Sequence, residues 1–152
     1  MKVRILFSKQ KNIDYFNSDD VELDMEEYLV GVVAAEIGNA PVAACEAQAV
    51  AARTYAMSKI KSKGYITDNS AVDQAFRAER LQGYPNAREG VNNTAGRYLT
   101  YNGKLISVVY SENNGGTTVS AKERWGNEIA YLISQPDPYD APPKRGHGVG
   151  LS

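Results

Sequence analysis

The sequence predicts an α+β fold: two packed helices against an antiparallel β-sheet, with long polar loops forming a cleft. Three observations point to it. Residues 25–37 and 41–61 form two helical stretches in immediate succession, the first apolar and the second alanine-rich. Residues 97–110 place β-rich runs on either side of Asn102-Gly103, a hairpin signature. The stretches 8–21 and 111–152 are polar and rich in Asn, Asp, Gly and Pro, which suits loops. At 152 residues the chain is long enough to bury a real core, and with no internal repeat or linker it reads as one domain, 1–152.

The elements follow in order. Val3 to Phe7 reads as a strand, too short for a signal peptide or a membrane span. No targeting segment is visible, which leaves open a cytoplasmic protein or a domain separated from its leader. Ser8 to Val21 suggests a second strand with turns around it. Asp24 with Glu27 three residues on is a D-x-x-E capping box, and Gly38 is a natural stop, so the first helix spans about Met25 to about Ile37. Tyr28, Leu29, Val32, Val33 and Ile37 make its buried face. Gly31, Ala34 and Ala35 keep it thin, so that another segment can approach closely. After the connector Asn39-Ala40-Pro41, the second helix runs to about Lys61 on strong alanine propensity, and Gly64 ends it. Residues 71–81 read either as a helix or as an irregular active-site wall. Gly83-Tyr84-Pro85-Asn86 is a turn, and Ala87 to Thr94 a short helix. The loop Ser111 to Thr118 follows a strand, where binding residues often lie. Residues 136–143 are too proline-rich for regular structure. Three glycines around the only histidine, His147, mark a loop with unusual backbone angles.

Composition excludes several classes. The net charge of −1 and pI of about 5.9 speak against a polyanion partner, and no basic patch for nucleic acid is visible. One Cys and one His fall short of a zinc set, and no cofactor is expected. Cys45, single and inside the alanine-rich helix, reads as a small buried residue rather than a nucleophile paired with His147. The C-terminal glycines lack the following helix and the Lys-Ser/Thr ending of a phosphate loop. Ten tyrosines suit half-buried strands as well as sugar-binding surfaces.

Glu36 stands against the grain of its helix. It is the one carboxylate between Tyr28 and Ile37. It is either a solvated helix-end residue or a carboxyl held in a partly dry site. The helix C-terminus and burial each disfavour the charged form, and both raise the pKa toward what a general acid needs at neutral pH.

The ordered segments Glu27-Tyr28-Leu29-Val30-Gly31-Val32-Val33-Ala34-Ala35-Glu36, Ala47-Gln48-Ala49-Val50-Ala51-Ala52-Arg53-Thr54-Tyr55-Ala56, Tyr110-Ser111 to Gly115-Gly116, Trp125-Gly126 with Tyr131-Leu132, Asp137-Pro138-Tyr139-Asp140 and Arg145-Gly146-His147-Gly148-Val149-Gly150 resemble the stage II sporulation protein D (SpoIID) family, which includes the amidase enhancers. Each segment alone is weak; the ordered set is specific. The resemblance implies a lytic transglycosylase that cleaves peptide-stripped peptidoglycan strands between N-acetylmuramic acid and N-acetylglucosamine. It also implies a cell-envelope or extracytoplasmic location. The family's catalytic Glu falls on Glu36. Gln48, Arg53, Tyr110, Ser111 and His147 are the candidate substrate-binding residues. Gln48 and Arg53 lie five apart, about 140° around a helix, so one of them is expected to brace the fold. Arg53 either holds Glu36 or a sugar group, or anchors carbonyls. His147 either contacts the substrate or Glu36, or locks its loop. A second function of another class is a non-catalytic glycan-binding module that enhances or recruits a cell-wall amidase. Two departures stand out: Glu46 occupies a position where the family usually has Lys, and the family's Gly-His-Gly-Val-Gly motif usually continues into a Gln-containing segment, whereas this sequence stops at Ser152.

Overall fold

The computed structural model describes residues 1–152. The chain forms two compact units, Met1–Ser107 and Val108–Ser152. The fold class is α+β, as the sequence predicts, with the sheet smaller and mixed rather than purely antiparallel.

In the first unit, β1 (Lys2–Leu6) has alternating chemistry that buries Val3 and Ile5 completely. A short helix, α1 (Gln10–Phe16), follows, and then β2 (Asp20–Asp24), which pairs antiparallel with β1 from Lys2↔Asp24 to Leu6↔Asp20. The expectation of a strand with turns over 8–21 therefore misses α1. There is no loop before α2 (Met25–Ile37): Asp24 ends the strand and caps the helix, accepting from the Glu26 N–H at 3.2 Å. The reciprocal half of the capping box is absent, because Glu27 pairs with Arg88 instead, at 2.9 and 3.1 Å. Gly38 closes α2 with φ +62° and ψ −136°, a positive φ as expected but outside the left-handed helical well.

The second long helix, α3 (Val42–Lys63), ends at Gly64 in the left-handed conformation. After it, β3 (Ile66–Thr67) returns to pair parallel with β1, giving the order β2-β1-β3. Residues 68–77 are irregular and lead into a single 3-10 turn, Ala78–Leu81. Then α4 (Pro85–Asn93) packs on α3, and the crossing depends on Gly90: a Cβ there would lie 2.6 Å from Cys45 Cβ and 2.7 Å from the Cys45 carbonyl carbon. Cys45 is fully buried, as its context predicts. The hairpin shrinks to β4 (Thr100–Tyr101) and β5 (Lys104–Leu105). Its turn is as read from the sequence, with Asn102 and Gly103 at φ +51° and +76°.

The core of this unit joins Val3 and Ile5 of the sheet to Tyr28, Leu29, Val32 and Val33 of α2, Ala49, Ala52 and Ala56 of α3, and Phe76. No single helix is long and apolar enough to cross a membrane.

The second unit has one short helix, α5 (Ala121–Trp125), whose Ser120 and Glu123 form a complete capping box. Three isolated bridges replace a sheet: Tyr110↔Leu151, Asn113↔Arg145 and Thr117↔Pro136. A small cluster of Ala121, Leu132 and Val149 is its apolar centre.

Candidate functional site

Glu36 sits in the last turn of α2 and is partly buried. One carboxylate oxygen accepts the Ala75 N–H at 3.2 Å. Ala75 belongs to a segment that lies along α2 and is fixed residue by residue. The Gln74 amide donates to the Tyr28 hydroxyl at 3.1 Å and to the Ala52 carbonyl at 3.3 Å. The Phe76 ring stacks on Tyr28, with centroids 5.5 Å apart, and occupies the space above Gly31 that any Cβ would fill. The Arg77 N–H reaches the Gly31 carbonyl at 3.4 Å, and Arg80 bonds the Ala34 carbonyl at 2.7 Å. The thin face expected from Gly31 and Ala34 is thus where this segment approaches. Of the two readings of residues 71–81, the irregular wall describes all but its final turn.

Behind Glu36 lies a set of buried polar groups. Asp73, whose side chain is fully buried, accepts from the Tyr55 hydroxyl (3.2 Å), the Thr67 N–H (2.8 Å) and Lys63 (3.0 Å). Those donors hold the Asp73 carboxyl below the usual range although burial opposes this. Tyr28 and Tyr55 are pushed the other way, chiefly by burial and further by the charge of Asp73, so both stay neutral phenols. Gln48 is 6% exposed, and its amide nitrogen is buried without a partner. It lies one turn before Ala52, on the α3 face that Gln74 meets. An unpaired buried amide is costly in an isolated fold, and a ligand can relieve that cost.

Arg53 goes elsewhere. It is 1% exposed, and its guanidinium bonds Glu26 at 2.6 and 3.1 Å, the Arg97 carbonyl at 2.8 Å, and more weakly the Val91 carbonyl and the Thr94 hydroxyl. Glu26 opens α2 and Glu36 closes it, about 15 Å apart along the axis. Arg53 therefore does not hold Glu36. Of the two expected roles, its geometry is that of an anchor for carbonyls and for the first turn of α2.

Tyr110, Ser111 and His147 lie together within the second unit. The Ser111 N–H donates to the Leu151 carbonyl at 2.9 Å, and Ser111 Cβ packs under Gly146. The Ser111 hydroxyl is buried without a partner. His147 Nδ1 accepts the Val149 N–H at 2.9 Å, which places the proton of the neutral ring on Nε2. The ring also bonds the Tyr110 backbone and lies 5.3 Å from the Trp125 ring. Desolvation, reinforced by the nearby Arg124 charge, holds the His147 pKa below its ordinary value. These contacts tie the His147 ring to its own unit. Asn114 is the other organiser of this unit: its N–H donates to Asp140 at 2.8 Å, its amide to Asp137 at 2.8 Å, and its side-chain oxygen accepts from Gly116. Trp125 and Tyr139 are exposed aromatics here, Tyr139 almost wholly so.

Sequence reasoning missed Gln74, Asp73 and Tyr55 as organisers of the Glu36 surroundings. No local pattern marks them: Asp73 meets Thr67 and Lys63 at separations of 6 and 10 residues that follow no helical or strand period, and the bonds from Tyr55 to Asp73 and from Gln74 to Tyr28 span 18 and 46 residues. No group of three or more His, Cys, Asp or Glu side chains is arranged to hold a metal ion.

Residues 18–101, more than half of the chain, match the family model described as SpoIID, stage II sporulation protein. The chain belongs to the stage II sporulation protein D family. That match falls within the first unit, which carries Glu36, Gln48 and Arg53. The chain is 36% identical over 109 residues to the "Amidase enhancer" of Bacillus subtilis (strain 168), covering 72% of this chain and 14% of that protein. It is 30% identical over 142 residues to the "Stage II sporulation protein D" of the same organism, covering 82% of this chain and 41% of that protein. A similar protein from Bacillus amyloliquefaciens is 31% identical over 142 residues, covering 78% and 40%. The chain thus spans less than half the length of these SpoIID relatives. The matches at 82% and 78% are longer than the first unit, so they extend into the second.

Proposed function

We propose that this SpoIID-family chain acts on the bacterial cell wall as a lytic transglycosylase, with Glu36 as acid and then base. The observation that carries the reading is the placement of Glu36: a carboxyl in the last turn of an apolar helix, partly buried, with one oxygen fixed by a backbone N–H of a rigid wall. A general acid requires that kind of fixed geometry. The chemistry needs one carboxyl rather than the two of ordinary glycosidases. Glu36 gives its proton to the glycosidic oxygen as the bond from the muramic C1 breaks, and the N-acetylglucosamine 4-hydroxyl leaves. The muramic C6 hydroxyl closes on C1, and its proton returns to Glu36. The products are a 1,6-anhydro end and a shortened strand, with no water consumed. The unpaired Gln48 amide supports sugar binding by the first unit. Within the second unit, the exposed aromatics Trp125 and Tyr139, with Tyr110 and Ser111, are separate candidates for sugar contact.

Digestion of peptide-stripped glycan strands, read by mass spectrometry, tests this. Wild-type protein should yield 1,6-anhydro ends, and Glu36→Gln should lose about 10²- to 10⁴-fold in rate while still binding strands. Reducing-end products would identify a hydrolase with a second carboxylate.

The second reading is a glycan-binding module that enhances or recruits a cell-wall amidase without cleaving strands itself. The similarity to a protein named "Amidase enhancer" favours it. Strand binding without cleavage, together with faster hydrolysis by an added amidase, would select it. Both readings place the protein at the cell envelope, outside the cytoplasm.

A further inference from the structure

In the first unit several basic side chains are already committed to partners. Arg4 pairs with Asp20, Arg53 with Glu26, Lys63 with Asp73 and Arg88 with Glu27, while Arg80 bonds a carbonyl. Of the unit's exposed cations in no ion pair, Lys2, Lys61, Arg97 and Lys104 lie outside one particular groove, and three others meet in it. Lys9, Lys11 and Arg77 are exposed, none is in an ion pair, and all three line one groove of about 420 Å³ between the start of α1 and residues 68–79.

The floor of this groove is built and rigid. Asp68, 2% exposed, accepts the Ser8 N–H (2.8 Å), the Ser8 hydroxyl (2.7 Å), the Lys9 N–H (3.0 Å) and the Asn12 amide (2.9 Å). Asn12 is itself tied to the Phe76 carbonyl and the Ala78 N–H. The Asp68 carboxylate is thus saturated by donors from the floor. Glu79 is the one other carboxylate in the lining, which leaves the groove positive on a chain whose net charge is −1. That modest excess suits one carboxylate rather than a polyanion. The groove also contains Ala75, the residue whose N–H holds Glu36. The cationic groove and the acid therefore share a single fixed segment.

We propose that this groove is a carboxylate subsite for the glycan strand. It takes the free lactyl carboxylate of a peptide-stripped muramic acid or the carboxylate of a short stem peptide. This rests on the glycan reading above. Held there, the negative charge fixes the strand's register relative to Glu36.

Titration of isotope-labelled protein with three small probes, followed by amide NMR shifts, tests it. N-acetylmuramic acid carries the lactyl carboxylate, muramyl dipeptide carries it as an amide with a peptide carboxylate further on, and N-acetylglucosamine carries neither. A carboxylated probe should shift Lys9, Lys11, Ser70 and Arg77, and N-acetylglucosamine should not. Which carboxylated probe does so identifies the source of the carboxylate. In the combined variant Lys9→Gln, Lys11→Gln, Arg77→Gln, affinity for that probe should fall about tenfold, the sum of three exposed charge contacts. Equal shifts with the neutral sugar, no shift with either acid, or unchanged affinity in the variant each overturn the subsite. Strand digestion separates the two ideas. Cleavage without selective shifts removes the subsite and leaves the transglycosylase; selective shifts without cleavage do the reverse.

Discussion

The two units of this chain hold themselves together by different means. In Met1–Ser107, α2 and α3 bury almost continuous apolar faces, and polar side chains staple the intervening segments onto those helices. In Val108–Ser152, the apolar centre is three buried residues and their fringe, and most of the order comes from side chains bonded to nearby loop backbone: Asn114, Asp137, Thr118 and His147. The difference teaches where each unit is vulnerable. A helix-built unit fails when a buried anchor is removed. A loop-built unit fails when a single hydrogen-bonding side chain is changed. The only tryptophan, Trp125, lies in the second unit, while α2, α3 and α4 dominate the helical signal. Fluorescence and far-UV circular dichroism thus read the two units separately.

The largest effect is expected at Arg53. Arg53→Met keeps the volume but leaves Glu26 and the Arg97 carbonyl without their main donor, a loss of about 3–5 kcal/mol by comparison with other broken buried pairs. Urea unfolding followed by circular dichroism should move to lower midpoint, with the Trp125 transition holding. Coincident movement of both signals would break the comparison, since the units would then unfold as one. If the proposed strand cleavage is observed, the folded variant should keep its wild-type pH dependence, because Arg53 sits at the far end of α2 from Glu36.

The same contrast explains what could be read from the sequence. The long helices were legible because their signals are local: Asp24 and Gly38 bound α2, and Pro41 and Gly64 bound α3. The Asn102-Gly103 turn was legible for the same reason. Helix α1 was not. Its one buried residue is Asn12, its N-cap Lys9 makes no side-chain cap, and it is held by Asp68, 56 residues after Asn12. No hydrophobic period could announce it. The wall at 73–77 was visible only as an ambiguity, since its bonds to Tyr28, Ala52 and Glu36 are all long-range. Glu36 was legible as an anomaly, a carboxylate on an apolar helix. For Arg53 and His147 the sequence left two roles open each, because a side chain's spacing says nothing of where its donors end.

A middle-sized effect is expected at Asn114. Asn114→Ala removes the bond to Asp137 and the acceptor for the Gly116 N–H in a residue 1% exposed. A cost of about 1–3 kcal/mol is expected for the groups left unpaired. It should appear as faster amide exchange at Gly116 and an earlier Trp125 transition, with circular dichroism unmoved. Protection equal to wild type at Gly116 would mean that the loop is held by its backbone bridges alone.

The smallest effect, and the sharpest discriminator, is a response to mild acid. His147 is held below its ordinary pKa of 6.5, so the fold prefers the neutral ring. Its contribution is fully present above about 6.5 and is lost as the pH falls through the lower folded value. Protonation at Nδ1 takes away the acceptor of the Val149 N–H and adds a charge near Arg124. The first unit contains no histidine, and its depressed carboxyls, Asp68 and Asp73, lie below 3.8, so their stabilisation survives until the pH falls through that lower range. Acidification should therefore change Trp125 fluorescence, 5.3 Å from the His147 ring, and loosen the Val149 amide, while the helical signal stays constant. His147→Gln should abolish that first step and leave the acid unfolding of the helices in place. If the step persists in the variant, or if the helical signal falls with it, the second unit is not held by the neutral imidazole, and its loop owes its order to the Asn113↔Arg145 and Tyr110↔Leu151 bridges instead.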